Sequence, residues 1–267
     1  MWPIANMVWA IGDIADPIQQ VRWIRQGGFD GVAFHACAGQ LPWWAGIDPA
    51  ACDAAARRQW RSDLADFRLR EVHAPFEIEF VQGKLPQAAA ALTPIIAFAG
   101  DLGVDVVTAH AALPAEADPA SQEWLDTMGQ INAAAAAAGV RIGLEILGDF
   151  AWLDRWRLPN IGVTLDVGHL FSAVGGAGGI EKIGGISGLI RRIAPHLVHL
   201  HVHDHNGQVD HIETGTGLID FADMFCGLAA INYRYGMTLE FNPSRVTPEG
   251  MLRSREYLHQ VARASRP

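Results

Sequence analysis

Eight short β-rich runs recur along the chain, each followed by a longer stretch of helical character. The runs are Ile4–Ala10, Gly31–His35, Leu69–Ala74, Val104–His110, Arg141–Ile146, Gly162–Asp166, Leu197–His203 and Met237–Phe241, and most of their starts lie 35 to 40 residues apart. That pitch holds one strand, one helix and two connections, and strand–helix units in series build a parallel sheet. Eight such units in 267 residues predict an α/β protein with one domain, residues 1–267, closed as a (β/α)8 TIM barrel. The alternative is a doubly wound open sheet. Such a sheet usually carries a Gly-rich fingerprint after its first strand, and Trp9-Ala10-Ile11-Gly12-Asp13 has none.

The helical stretches carry start and stop signals. Asp16-Pro17 opens Pro17–Gln26 and Gly27-Gly28 closes it; Asp48-Pro49 opens Ala50–Phe67; Pro86 opens a stretch that Gly103 ends; Asp118-Pro119 opens one that Gly139 ends. An Asp before a first-turn Pro and a Gly after the last turn are the expected punctuation. Phe150–Trp156 has room only for a short helix, and Gly184–Ala194, Phe221–Ala229 and Thr247–Arg263 complete the set. Gly175–Gly179 is expected to be a mobile loop near the barrel mouth or, failing that, a tight loop leading into the next helix.

Composition removes several classes of function. Half of the residues are hydrophobic, which suits a packed core and not a disordered chain. Twenty Lys and Arg stand against 29 Asp and Glu, a net charge of −9, which disfavours nucleic acid and anionic membranes as partners. Cys37, Cys52 and Cys226 share no short spacing, so neither a disulfide framework nor a thiolate metal site is expected. With no leader-like N-terminus and no uninterrupted apolar run of about 18 residues, the expectation is a soluble, cytoplasmic protein with no membrane partner.

In a barrel of this kind the chemistry sits at the C-terminal ends of the strands. Those ends carry His35, His73, His110, Glu145, Asp166, His201 with His203, and Glu240. Residues two apart in a strand share a face. Two before the later candidates lie Thr108, Gly143, Thr164, His199 and Thr238, while Val107, Leu144, Leu165, Leu200 and Leu239 occupy positions of the opposite parity. The apolar set should face the helices and the candidates should converge inside. Burying these carboxylates and imidazoles together is costly unless something compensates their charge, and a divalent cation does so. The donors suit Mn2+, Mg2+, Co2+ or Zn2+, with the extra histidines tilting toward zinc. Taken singly, His35 is read as a hydrogen-bonded structural residue, Asp166 as a site group or an ordinary turn, and His203 and His205 as site groups or solvated loop residues. Trp9, Trp43 and Trp44 either stack on a substrate or pack within their loops.

Several ordered segments carry a resemblance: Val72-His73-Ala74-Pro75-Phe76, Val107-Thr108-Ala109-His110, Gly143-Leu144-Glu145, Leu165-Asp166-Val167-Gly168-His169, His199-Leu200-His201-Val202-His203-Asp204, the stretch 211–220 and Leu239-Glu240-Phe241. Together they resemble the xylose-isomerase-like TIM-barrel superfamily, which joins sugar isomerases and epimerases with endonuclease IV-type AP endonucleases. In the isomerase branch the resemblance implies one metal held by Glu145, Asp166, His201 and Glu240, with the two glutamates as acid/base pair and His169 on substrate oxygens. In the endonuclease branch it implies further zinc ligands at His73, His110, His169 and His211. That branch also places an Asp two residues before the last of these, where this chain has Val209. Asp210 is expected to point away if its segment is extended.

The expected function is therefore a divalent-metal-dependent isomerase or epimerase of a sugar, or of a sugar-like polyol or keto acid. One glutamate would take the proton next to a carbonyl to give a metal-stabilised enediolate, and the other would return it. His73, His110, His169, His203 and His211 would contact substrate or hold a second metal. The alternatives are an endonuclease IV-like zinc-dependent phosphodiester hydrolase, or a lyase or dehydratase on the same metal site. A small-molecule sugar-like substrate is the expected partner, and a homo-oligomer is compatible with this barrel class.

Overall fold

The structure, a computed structural model, describes residues 1–40, 44–78, 80, 81, 83–111, 121–146 and 158–265. The anticipated helix at Phe150–Trp156, Trp43, and the Asp118-Pro119 start signal lie outside them. Among the described residues eight parallel strands close a barrel in sequence order: β1 (Ile4–Val8), β2 (Gly31–His35), β3 (Leu69–His73), β4 (Val106–His110), β5 (Arg141–Glu145), β6 (Ile161–Asp166), β7 (Leu197–Val202) and β8 (Met237–Leu239). The last strand pairs back onto β1 through Ile4↔Met237 and Asn6↔Leu239. Each expected strand is present; Gly31–His35 matches to the residue and the others differ by one or two residues at their ends.

Closure without an edge explains the composition of the strands. Their outward residues, such as Val107, Leu144, Leu165, Leu200 and Leu239, are buried under the helices, where apolar burial is worth roughly 25 cal/mol per Å2. Their inward residues are small or polar: Asn6, Glu71, Thr108, Thr164, His199 and Thr238 are all buried. At Gly143 a Cβ would collide with the hydroxyl of Thr164, so the absence of a side chain there is what lets β5 and β6 close over this polar layer.

Helix ends follow the punctuation closely in places. Asp16 accepts the Ile18 N–H at 3.0 Å at the start of Pro17–Gln26, and Gly103 and Gly139 end Leu85–Leu102 and Gln122–Ala138 with φ near +72° and +71°. The long helix expected at Ala50–Phe67 is instead a turn of 3-10 helix, Pro49–Ala51, followed by Ala54–Leu64. Asp53 is the cause: its carboxylate accepts the Ala56 N–H at 2.8 Å and restarts the helix. Two further short helices, Val167–Ala173 and Ala177–Lys182, follow β6. The glycine-rich stretch is thus divided, with Gly175 and Gly176 turning at φ near +84° and +80° and Ala177–Gly179 opening a helix.

Leu85–Leu102 is long and apolar enough to cross a membrane by length and composition, yet half of that window is buried in the barrel's helical layer. Counting uninterrupted apolar residues passes over it, because Gln87, Thr93 and Asp101 break the run.

Candidate metal centre

Strand register sets the site. His35 lies beside His73, His110 beside Glu145 and Asp166 beside His201. Neighbours in register on parallel strands project to the same side, so these pairs form a ring at the C-terminal rim, with Glu240 just past β8.

Beneath the ring lies Glu71, which inspection of strand ends does not find. It precedes His73 by two residues, and that shared face was the available signal. Its carboxylate is fully buried and accepts four hydrogen bonds. Oε1 takes Thr108 Oγ1 at 2.5 Å and His201 Nε2 at 2.8 Å; Oε2 takes His199 Nε2 at 2.9 Å and a short bond from Thr238 Oγ1. Burial opposes its charge, but His199 and His201 outweigh burial and hold its pKa well below the usual carboxylate range.

In the ring itself, acceptor faces acceptor. His201 donates through Nε2 to Glu71, so in the neutral ring Nδ1 carries the lone pair. That atom lies 3.0 Å from Glu240 Oε2 and 3.3 Å from Glu145 Oε2. His73 Nδ1 donates to the Ala74 carbonyl at 2.6 Å, which leaves the Nε2 lone pair facing Glu145 Oε2 at 3.6 Å. His110 Nε2 lies 3.6 Å from the same oxygen. The buried atoms His201 Nδ1, His73 Nε2, Glu145 Oε2 and Asp166 Oδ2 have no hydrogen-bond partner among the described residues. Ligand atoms of Glu145, Asp166 and His201 lie within 4.8 Å of one another, as do those of His73, His201 and Glu240, and those of His73, His110 and Glu145. Ligands about 2.1 Å from one ion lie roughly 3.0–3.4 Å apart in tetrahedral or octahedral geometry. The donor set therefore fits a divalent cation: the four residues expected to hold it meet in two overlapping groups that share His201.

Burial disfavours a charged His201, but Glu71 and Glu240 outweigh it and raise its pKa well above the ordinary value. Burial likewise pushes Glu145 and Glu240 upward. His169 and His201 outweigh it at Glu145, and His201 at Glu240, so both carboxylates are held well below their usual range.

A second set of histidines flanks this centre. Asp166 caps Val167–Ala173 by accepting the His169 N–H on Oδ1 at 2.7 Å, so the turn and the site group are one residue with two jobs. His169 Nδ1 bonds Glu145 Oε1 at 3.2 Å; burial opposes its charge, but Asp166 and Glu145 raise its pKa to about 9. His203 is buried and not solvated. Its Nε2 lies 3.1 Å from Asp166 Oδ1, its Nδ1 accepts the His211 N–H at 2.8 Å, and its ring stacks on that of His211 at 3.9 Å. Asp166, His169, His203 and His211 bring their ligand atoms within 4.8 Å of one another.

Asp210 does not point away as expected. His211 has φ near +50°, so the segment is not extended. Asp210 Oδ1 reaches His211 Nδ1 at 3.1 Å and Oδ2 lies 3.9 Å from His169 Nε2. Arg245 also binds this carboxylate, at 3.1 Å.

His35 is buried and packed, but without the hydrogen bonds expected of it. Both of its ring nitrogens lack a partner among the described residues, and its ring is boxed by Trp9, Trp44, Phe76 and His73 at 4.7 to 5.0 Å. Trp9 and Trp44 are thus packed against His35 at the mouth. Burial, with the neighbouring His73, lowers the His35 pKa to about 3.

Residues 21–260 match the family described as xylose isomerase-like TIM barrel. The chain belongs to that family. An uncharacterized protein of Methanocaldococcus jannaschii is 28% identical over 71% of this chain and 70% of its own. An L-ribulose 3-epimerase of Mesorhizobium japonicum is 24% identical over 93% of this chain and 83% of its own. A crystal structure of a D-tagatose 3-epimerase-like protein superposes with a TM-score of 0.70 at 20% identity, covering 98% of both chains.

Proposed function

We propose that this protein is a divalent-metal-dependent epimerase or isomerase of a small sugar or sugar-like substrate. The observation that carries the reading is the pair of buried carboxylates, Glu145 and Glu240, whose Oε2 atoms lie 3.3 Å and 3.0 Å from His201 Nδ1. Glu145, Asp166, His201 and Glu240 would hold the cation, which, when bound, draws electron density from adjacent carbonyl and hydroxyl oxygens and so acidifies the neighbouring C–H. An ionised carboxylate is ready to act as a base, and Glu145 or Glu240 would take the proton from that carbon. The other glutamate, after taking a proton from solvent, would deliver that proton to the opposite face for epimerisation or to the next carbon for isomerisation, while the first glutamate releases its own to solvent. His169 borders Glu145 on the open side and would donate to a substrate oxygen. Trp9 and Phe76 line the same mouth and would pack on the apolar face of the sugar. The sugar 3-epimerase relatives support this choice within the family. A lyase or dehydratase starting from the same proton abstraction would use the same groups.

One observation favours a second reading, a multi-zinc phosphodiester hydrolase: the additional clusters His73–His110–Glu145 and Asp166–His169–His203–His211. Against it stand the net charge of −9 and the engagement of Arg245, which lies near the mouth, by Asp210.

The test is proton exchange with solvent at the α-carbon across a panel of ketoses, run beside cleavage of an abasic-site duplex, both after loading with Mn2+ or Zn2+. Exchange without cleavage is expected. Cleavage without exchange overturns the epimerase reading.

A further inference from the structure

We propose that Glu71 is a positioning residue of the metal centre, fixing His201 through Nε2 so that Nδ1 is the nitrogen offered to the cation. This role rests on the reading of the ring as a cation site.

Glu71 needs an explanation that packing does not supply. It is a fully buried carboxylate with no Lys or Arg beside it among the described residues, and such a group is expensive unless every lone pair is met. Here the number of donors matches the lone pairs: two hydroxyls, Thr108 and Thr238, and two imidazole N–H groups, His199 and His201, drawn from β4, β7 and β8. An apolar side chain would fill the space with no such requirement. The bond to His201 has a consequence at the rim. A carboxylate only accepts, so the proton must sit on Nε2, and the other ring nitrogen is left to face Glu145 and Glu240. A carboxylate that accepts from a ligand histidine fixes its tautomer, orients its ring and makes it a better donor to the metal. The His73 ring, stacked on His201 at 5.6 Å and 27°, and the edge of His199 at 5.6 Å hold the ring between them.

Glu71, His199 and His201 also form a close group of metal-ligand types. Their facing atoms already make N–H···O bonds at 2.8 and 2.9 Å, and neither Glu71 oxygen is left without a donor. Protons fill this lower layer, whereas lone pairs confront one another in the layer above. The two layers share only His201, which receives a carboxylate below and offers a nitrogen above.

The experiment uses the full chain, purified metal-free and titrated with Zn2+ by calorimetry, with the metal-free melting temperature measured for each protein. Glu71→Gln should lower zinc affinity by roughly 10- to 100-fold while the metal-free protein still melts cooperatively. A second measurement needs no variant. In the zinc-loaded wild type, long-range 1H–15N spectra of the histidine rings should show His201 bound through Nδ1, with a downfield Nε2–H protected from exchange. Equal zinc affinity in wild type and Glu71→Gln, or His201 bound through Nε2, overturns the role of Glu71 and leaves the metal centre standing. A wild type that binds no divalent cation overturns both.

Discussion

Glu145 and Glu240 face the same imidazole nitrogen, and exchanging either carboxylate for an amide tests them separately. Glu145→Gln and Glu240→Gln should each lower the rate of α-proton exchange by about 10^2- to 10^4-fold, with an unchanged far-UV spectrum. Retained turnover in either variant removes that residue from the acid/base pair. His35 makes a different prediction. It is buried neutral with a pKa of about 3, while in the unfolded chain it titrates near 6.5. Below pH 6.5 the unfolded state takes up a proton that the folded state refuses, so this residue lowers stability progressively as pH falls from about 6.5 toward 3. His35→Phe should therefore flatten the acid side of the stability profile of the metal-free protein by up to one proton, read as urea-unfolding free energies at pH 7 and pH 5. An identical pH slope in the variant would show that His35 is not held neutral. At this scale the rim carboxylates were legible because each sits at a strand end between large apolar residues. Glu71 was not, since its significance depends on donors from three other strands.

The loop after β7 depends on one carboxylate. Asp204 is buried and accepts the backbone N–H groups of His205, Gly215, Gly217 and Ile219 at 2.8 to 3.1 Å. A Cβ at Gly217 would collide with Asp204 Oδ1, which is why glycine stands there. This anchor closes the segment that carries Asp210 and His211 onto His203. Asp204→Ala would leave four amides without their acceptor and should destabilise the protein by on the order of 3 kcal/mol, with hydrogen exchange accelerating first across residues 205–219. Uniform exchange across the chain would show that Asp204 does not govern this loop. Element positions were readable from periodicity and punctuation, and Gly31–His35 and Pro17–Gln26 agree to the residue. The split of Ala50–Phe67 was missed because a capping Asp inside a helical run does not disturb its hydrophobic pattern. The turn at His211 was missed because a positive φ at a non-glycine residue is set by its surroundings and leaves no mark in sequence.

Across the whole molecule, the candidate metal centre gathers acidic groups and imidazoles contributed by β3 through β8 and the loops beyond them, so a cation bound there should stabilise the entire barrel and not one segment. A divalent ion at about 100 times its dissociation constant adds roughly 2.7 kcal/mol if it binds only the folded state. Chelation should lower the melting temperature and re-addition of Mn2+ or Zn2+ should restore it; a melting temperature indifferent to both would argue against a cation linking these strands. The eightfold alternation of strands and helices, the apolar face of each strand and the gathering of histidines and carboxylates at one end of the barrel can all be read along the chain. Those features are periodic or local, and periodicity survives in one dimension. That Glu71 stands beneath His201, that Asp210 turns toward His169 and that His35 is enclosed by aromatic rings emerges only in the folded barrel. Each of these follows from the register between strands distant in sequence, and register is settled by closing the barrel.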